Sequence, residues 1–462
     1  DHISEVQAIA DAAQSVINAA AGIGNPSMEE LELLGLTGVT PSMLKVIVKA
    51  ITDTPDDGSG VSSVDDLQAI IDGAISAANA ALAELATAAE NDSATAISPA
   101  LSVYQALAIE EVTSANLASF NSVLNNLSAA NLSTIDKAYG FASSYQKILT
   151  AADGVDDDDP GLSLQDYQNL AISNIDEASE QSLLVDVLDI KNTVEIDSAS
   201  ELLSLTDAVD KLMQNAQGIG EVSQLELERL SITGILPVNM PAIHNAIAAT
   251  NSDGSDINTL LKLQTLIDDT LISSNQALLL IRDAAENNSA TSSTPSVVSY
   301  INAGVDNVNL ANVAAINSAL NSQSVDGDLA DSPAEIQIIV DGYNQILAAA
   351  DGIDDDDSKP EQADYEAIGV INVDSAVEES LLGDVIDIKS ISDIDTTAQV
   401  QDLADAVQAV MDAAAGATNI PTKAQLENLA LTGVTDDNLV AIQNAIQGSI
   451  DNGSEVASLN DL

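Results

Sequence analysis

The chain has 462 residues, with 73 acidic side chains against 12 basic ones and a formal net charge of −61. That balance argues against binding DNA or RNA, whose phosphates need Lys and Arg, and against docking on an anionic membrane surface. With no cysteine and only two histidines, His2 and His244, disulfide frameworks, thiolate zinc sites and Cys nucleophiles are excluded.

The apolar fraction is 46 %, almost all Ala, Leu, Ile and Val, and only 2 % is aromatic. Acidic disordered chains lack that aliphatic content, so a folded protein is expected. A single core does not usually grow to this length, so several domains are expected. The longest apolar runs, such as Ala277-Leu278-Leu279-Leu280-Ile281, fall far short of the ~20 residues that span a bilayer. The first residues are charged and amphipathic, unlike a signal peptide.

In chain order, Val6–Ala21 reads as an Ala-rich helix. Ser27–Leu36 reads as a short helix, with Ser27 as N-cap and Glu30 three residues on in capping-box register. Thr37-Gly38-Val39-Thr40 is a turn, and another helix follows. Val64–Glu90 is long, with Leu67, Ile70, Ile71, Ala74, Ile75, Ala78, Leu82 and Leu85 on one helical stripe. Ala115–Leu127 is of middle length and carries Leu117, Phe120, Val123, Leu124 and Leu127. Strand signals are weak.

This order repeats. The Thr37 turn returns at Thr233-Gly234-Ile235-Leu236, 196 residues on, and at Thr432-Gly433-Val434-Thr435, 199 residues further. Tyr104, Tyr145 and Tyr167 return as Tyr300, Tyr343 and Tyr365. These tyrosines are expected to plug the core with the hydroxyl at its rim. Each long repeat holds three related modules. The predicted architecture is all-α: tandem three-helix-bundle modules in an elongated array. The modules span residues 1–60, 61–130, 131–195, 196–253, 254–327, 328–394 and 395–462. The fourth and seventh repeat the first, the fifth the second, the sixth the third. Ser458-Leu459-Asn460-Asp461-Leu462 matches Ser63-Val64-Asp65-Asp66-Leu67, the start of a long helix, so a window of a longer periodic protein is expected. Packed neighbours and a jointed string both fit the pattern.

The register of Tyr365–Val370, then Leu381, Ile386 and Ile388, then Val400–Val407 resembles the three-helix albumin-binding-like (GA) modules of bacterial surface proteins. Leu34-Gly35-Leu36 through Val64–Ile70 repeats it. The acidic, cysteine-free version is similar to repeat regions of very large adhesin-like proteins of marine Gram-negative bacteria. The resemblance implies an extracellular or cell-surface location, secretion within a larger protein, and self-association or contact with neighbouring repeats. It also implies, as an alternative, capture of a matrix or host surface protein.

Two loops concentrate acid. Asp153, Asp156, Asp157, Asp158 and Asp159 lie within seven residues, and Asp351, Asp354, Asp355, Asp356 and Asp357 repeat them. Such clusters repel themselves unless a cation neutralises them, and Ca²⁺ takes six to eight oxygens from flexible loops. The same loops also read as solvated segments favouring the next helix N-terminus. Asp57-Gly58-Ser59, Asp253-Gly254-Ser255 and Asn452-Gly453-Ser454 read as turns with Gly at positive φ, or as weaker calcium loops. His244 aligns with Val48 and Asn444, which points to a rim position rather than catalysis. No P-loop, Gly-x-Ser-x-Gly or His-Glu-x-x-His string occurs. The expected function is structural and non-catalytic: a surface stalk, biofilm-matrix component, or self-assembling filament or surface-layer subunit. The alternative is a binding module that captures a host or matrix protein through a helical face.

Overall fold

The computed structural model describes residues 2–90, 98–156, 161–287, 294–353, 359–449 and 453–462. It is all-helical, and the described residues hold no β-strand beyond two isolated bridges, Asp153–Asn192 and Asp351–Ser390. The chain divides into two compact units, residues 1–232 with 251–263 and residues 233–250 with 264–462.

Unit 1 contains α1 (His2–Ala20), α2 (Met28–Leu33), α3 (Leu44–Thr52), α4 (Val64–Glu90), α5 (Leu101–Ala106) and α6 (Leu117–Leu124). It continues with α7 (Ile135–Ala151), α8 (Leu164–Asn169), α9 (Ala178–Asp189), α10 (Ala199–Ala216) and α11 (Gln224–Arg229). Unit 2 contains α12 (Met240–Ala248), most of α13 (Leu260–Asn287), α14 (Val297–Ala303), α15 (Val313–Leu320) and α16 (Pro333–Ala349). It ends with α17 (Gln362–Ala367), α18 (Ala376–Asp387), α19 (Thr397–Ala414), α20 (Lys423–Asn428) and α21 (Leu439–Gln447).

The recurring order is a long helix, a short helix and a helix of middle length. The short helices start and stop on strong local signals. Ser27 and Glu30 form the expected capping box, and Ser163/Asp166, Ser223/Glu226, Glu361/Asp364 and Thr422/Gln425 form others. Each short helix ends on a residue in the left-handed region: Gly35, Ala108, Ala171, Ser231, Gly304, Gly369 or Ala430. The next N–H then reaches back to the carbonyl five residues earlier, as Leu36 does to Leu31 at 3.3 Å and Val370 to Tyr365 at 3.0 Å. This Schellman closure satisfies carbonyls that the helix end would otherwise orphan.

Packing is continuous within each unit. In unit 1, α3 lies against both α1 and α4, and α10 lies against α6, α9 and α11. In unit 2, α18 lies against α16 and α19, and α19 also touches α15, α20 and α21. One apolar cluster of unit 2 runs from Ala277 to Val456. Helices α3, α9 and α18 are each shared between a long helix before and a long helix after, so packed neighbours replace the jointed string at these places inside each unit. Burying each Leu or Ile on such a shared face contributes roughly 1.5–3 kcal/mol.

Helix α4 is long and apolar enough by composition to cross a membrane, although no uninterrupted apolar run in the sequence is. It carries Asp72 and Glu84 and buries Leu67, Ile71, Ala78, Ala81 and Leu85 against neighbouring elements.

Candidate functional site

The most regular polar geometry lies where a long helix meets the turn before it. The fifth residue of α4 is Gln68. Its Oε1 accepts the Thr37 N–H at 2.9 Å, and its Nε2 donates to the Thr37 carbonyl at 3.1 Å. Gln264 holds Thr233 in the same way at 3.1 and 3.3 Å. Gln337 holds Asp306 at 2.8 and 3.4 Å, and Gln401 holds Ile371 at 2.9 and 3.1 Å. One primary amide thus satisfies both main-chain polar groups of one turn residue, where no helix ladder can.

Each of these glutamines is itself held by an aspartate one turn on. Asp72, Asp268, Asp341 and Asp405 accept its Nε2 at 2.8, 2.8, 2.7 and 2.8 Å. Asp405 also accepts Asn372 Nδ2 at 3.0 Å, and Asp207 accepts Asn174 at 2.9 Å. Helices α7 and α10 carry Tyr139 and Leu203 at the glutamine position. Tyr139 instead receives Lys45 Nζ 4.9 Å above its ring. Burial, then Asp136 and Glu111, raise the Tyr139 hydroxyl pKa to about 12. The Gln401 joint borders a cavity of about 590 Å³ whose lining includes Ser318, Ser322, Thr396 and Asp405. Sequence reasoning missed these joints, although Gln-x-x-x-Asp at a fixed place in four long helices is a readable signal.

The six repeated tyrosines are fully buried, as core plugs should be, but their hydroxyls lie inside rather than at the rim. Tyr104 donates to Asn121 Oδ1 at 2.7 Å, and Tyr300 to Asn317 Oδ1 at 2.8 Å. Those asparagines in turn donate to the Pro99 and Pro295 carbonyls at 2.9 and 2.8 Å. Tyr145 and Tyr343 donate to the carbonyls of Ile196 and Ile394 at 3.2 and 3.1 Å. The hydroxyls of Tyr167 and Tyr365 are buried with no partner among the described residues, and burial raises both pKa values above the ordinary 10.0.

Of the acidic-loop residues, Asp153, Asp156 and Asp351 are described, and all three are exposed. Asp153 Oδ1 accepts the Val155 N–H at 2.8 Å, and Asp351 Oδ1 accepts the Ile353 N–H at 2.7 Å. Both carboxylates therefore close a local turn around Gly154 and Gly352, whose φ values are +84° and +81°. Asp157, Asp158, Asp159, Asp354, Asp355, Asp356 and Asp357 lie outside the described residues. Among the described residues, no group of three or more His, Asp or Glu side chains is placed to hold a metal ion.

Asp57-Gly58-Ser59 and Asp253-Gly254-Ser255 form the expected turns, and Asn452 of the third segment lies outside the described residues. Asp57 and Asp253 accept the N–H groups of Ser59 and Ser255, both at 3.0 Å. Gly58, Gly254 and Gly453 have φ of +71°, +69° and +70° and lie against Ile17, Met213 and Met411 of α1, α10 and α19. His244 is half-buried.

No protein-family model, curated protein or solved structure matches this chain.

Proposed function

We propose that this chain is a non-catalytic structural repeat protein of a bacterial surface, built of tandem three-helix modules. Its work is to extend, and to join with copies of itself, as a stalk, matrix component or self-assembling filament or surface-layer subunit. The observation that carries this reading is the recurrence of one joint, Gln68 on Thr37 and Gln401 on Ile371, in both units. The same polar chemistry is spent on joining one helix–turn to the next rather than on converging at a cleft.

The charge of −61 supplies the regulation. Like-charged copies repel at low ionic strength, and divalent cations bridge them. The loops at Asp153–Asp159 and Asp351–Asp357 are the proposed Ca²⁺ positions. Sedimentation velocity at rising protein concentration, in calcium and in chelator, tests the proposal. Assemblies that grow with concentration in calcium and dissolve in chelator are expected. A single species of constant mass in both buffers counts against self-assembly.

A further inference from the structure

Three long helices end alike. Gly22, Gly218 and Gly416 adopt φ of +73°, +73° and +75°, and the N–H groups of Ile23, Ile219 and Ala417 reach back to Asn18, Gln214 and Asp412. This aligns α1, α10 and α19 residue by residue. Val6, Ile9 and Ile17 of α1 then correspond to Leu202, Leu205 and Met213 of α10 and to Val400, Leu403 and Met411 of α19.

Their surroundings differ sharply. Val6, Ile9 and Ile17 are 66, 44 and 43 % exposed, whereas Val400, Leu403 and Met411 are 0, 1 and 8 % exposed. In unit 2, α15 and α18 cover α19. In unit 1, α6 and α9 cover α10 in the same way. A matching serine hydroxyl marks both seats: Ser122 accepts the Ala199 N–H at 3.0 Å and Ser318 accepts the Thr397 N–H at 2.9 Å.

A second feature of α1 points to the same occupant. Gln7 donates to Asp11 Oδ1 at 2.8 Å, as Gln401 does to Asp405 at 2.8 Å. Gln401 uses its remaining groups to hold Ile371, and Gln7 is the aligned glutamine, exposed, with no turn bonded to it among the described residues. Both the apolar face and the polar joint of α1 are thus built to the pattern of α19.

We infer that the outer face of α1 is a docking surface for a further pair of modules of the residue 254–394 type, seated as those residues seat α19. Their middle helices would cover Val6 and Ile9, and their last turn would take the Gln7 amide. The pair must be additional, because within this chain α18 is already covered by α19 and α9 by α10. The docking face follows from the repeat, whether or not copies assemble.

The test is hydrogen exchange of α1 in the full chain and in a full chain carrying a second copy of residues 254–394 fused ahead of residue 1. Amides of the first half of α1 should exchange at least tenfold more slowly in the extended chain. Ile9→Asp should abolish that protection, yet leave exchange beyond α1 unchanged in the original chain, whereas Leu403→Asp should open α19 in either. Unchanged α1 exchange overturns the inference, whether the added modules are folded or stay unprotected. So does a concentration-dependent dimer of the original chain that Ile9→Asp abolishes, since the face would then belong to a second copy.

Discussion

The side-chain amide of Gln401 brackets the main chain of Ile371, accepting its N–H at 2.9 Å and donating to its carbonyl at 3.1 Å. The two residues are 30 positions apart, on a long helix and on the turn that precedes it. A solvent-accessible hydrogen bond contributes roughly 0.5–1.5 kcal/mol net. Gln401→Leu should therefore cost about 1 kcal/mol in chemical denaturation and speed exchange of the Ile371 amide. The reverse change, Leu203→Gln in α10, should slow exchange at Ser173, the aligned turn position. An unchanged Ile371 amide in Gln401→Leu would show that the joint contributes nothing.

The buried tyrosines separate by what their hydroxyls touch. Tyr104→Phe leaves the buried Asn121 Oδ1 without its donor, at a cost of roughly 1–3 kcal/mol. Tyr167→Phe removes a hydroxyl that has no partner among the described residues, so it should be neutral or stabilising. Denaturation midpoints of the two variants give the comparison, and equal losses would contradict it.

Backbone sign gives a third pair. Ala171 sits at φ +57°, where the aligned residue of unit 2 is Gly369 at +80°. Ala171→Gly should stabilise by about 1 kcal/mol, because a Cβ is strained in the left-handed region. Gly254→Ala should do the opposite: φ is +69° and the new Cβ would meet Met213 Sδ at 2.4 Å. Gly22→Ala has the same sign of φ but nothing within 4 Å, so it should cost less than Gly254→Ala. Thermal melts of the three variants rank them.

Asp166 sets an acid limit. Burial raises its pKa, but the Ser163 hydroxyl, the Lys147 ammonium, the Ser163 N–H and the Ser144 hydroxyl outweigh that and hold it at about 2, below the ordinary 3.8. The folded value is the lower one, so the stabilisation is complete above the unfolded value and is lost as pH falls from there toward about 2. Asp166→Asn should destabilise the chain at neutral pH and flatten the stability profile below pH 3.8. A profile parallel to that of the parent chain would contradict this role.

Local features were legible in sequence where the signal itself is local. The stripe from Leu67 to Leu85 lies within α4 (Val64–Glu90), as read, because 3.6-residue periodicity needs no tertiary information. The Ser27/Glu30 capping box is likewise contained in four residues. The Gln68–Thr37 joint was missed because it acts across 31 residues, and an exposed Gln on a helix looks like any solvated side chain. The depth of Tyr145 was misjudged because its acceptor, the Ile196 carbonyl, lies 51 residues away. In the acidic loops, Asp153 and Asp351 are tied to local N–H groups, a use that charge counting alone does not distinguish from cation binding.

The most direct measurement is electron microscopy of the purified chain at rising concentration, in calcium and in chelator. Ordered fibres or sheets that form in calcium and disappear in chelator are the result expected of a self-assembling structural repeat. Isolated, unassociated molecules at every concentration in both buffers would contradict it.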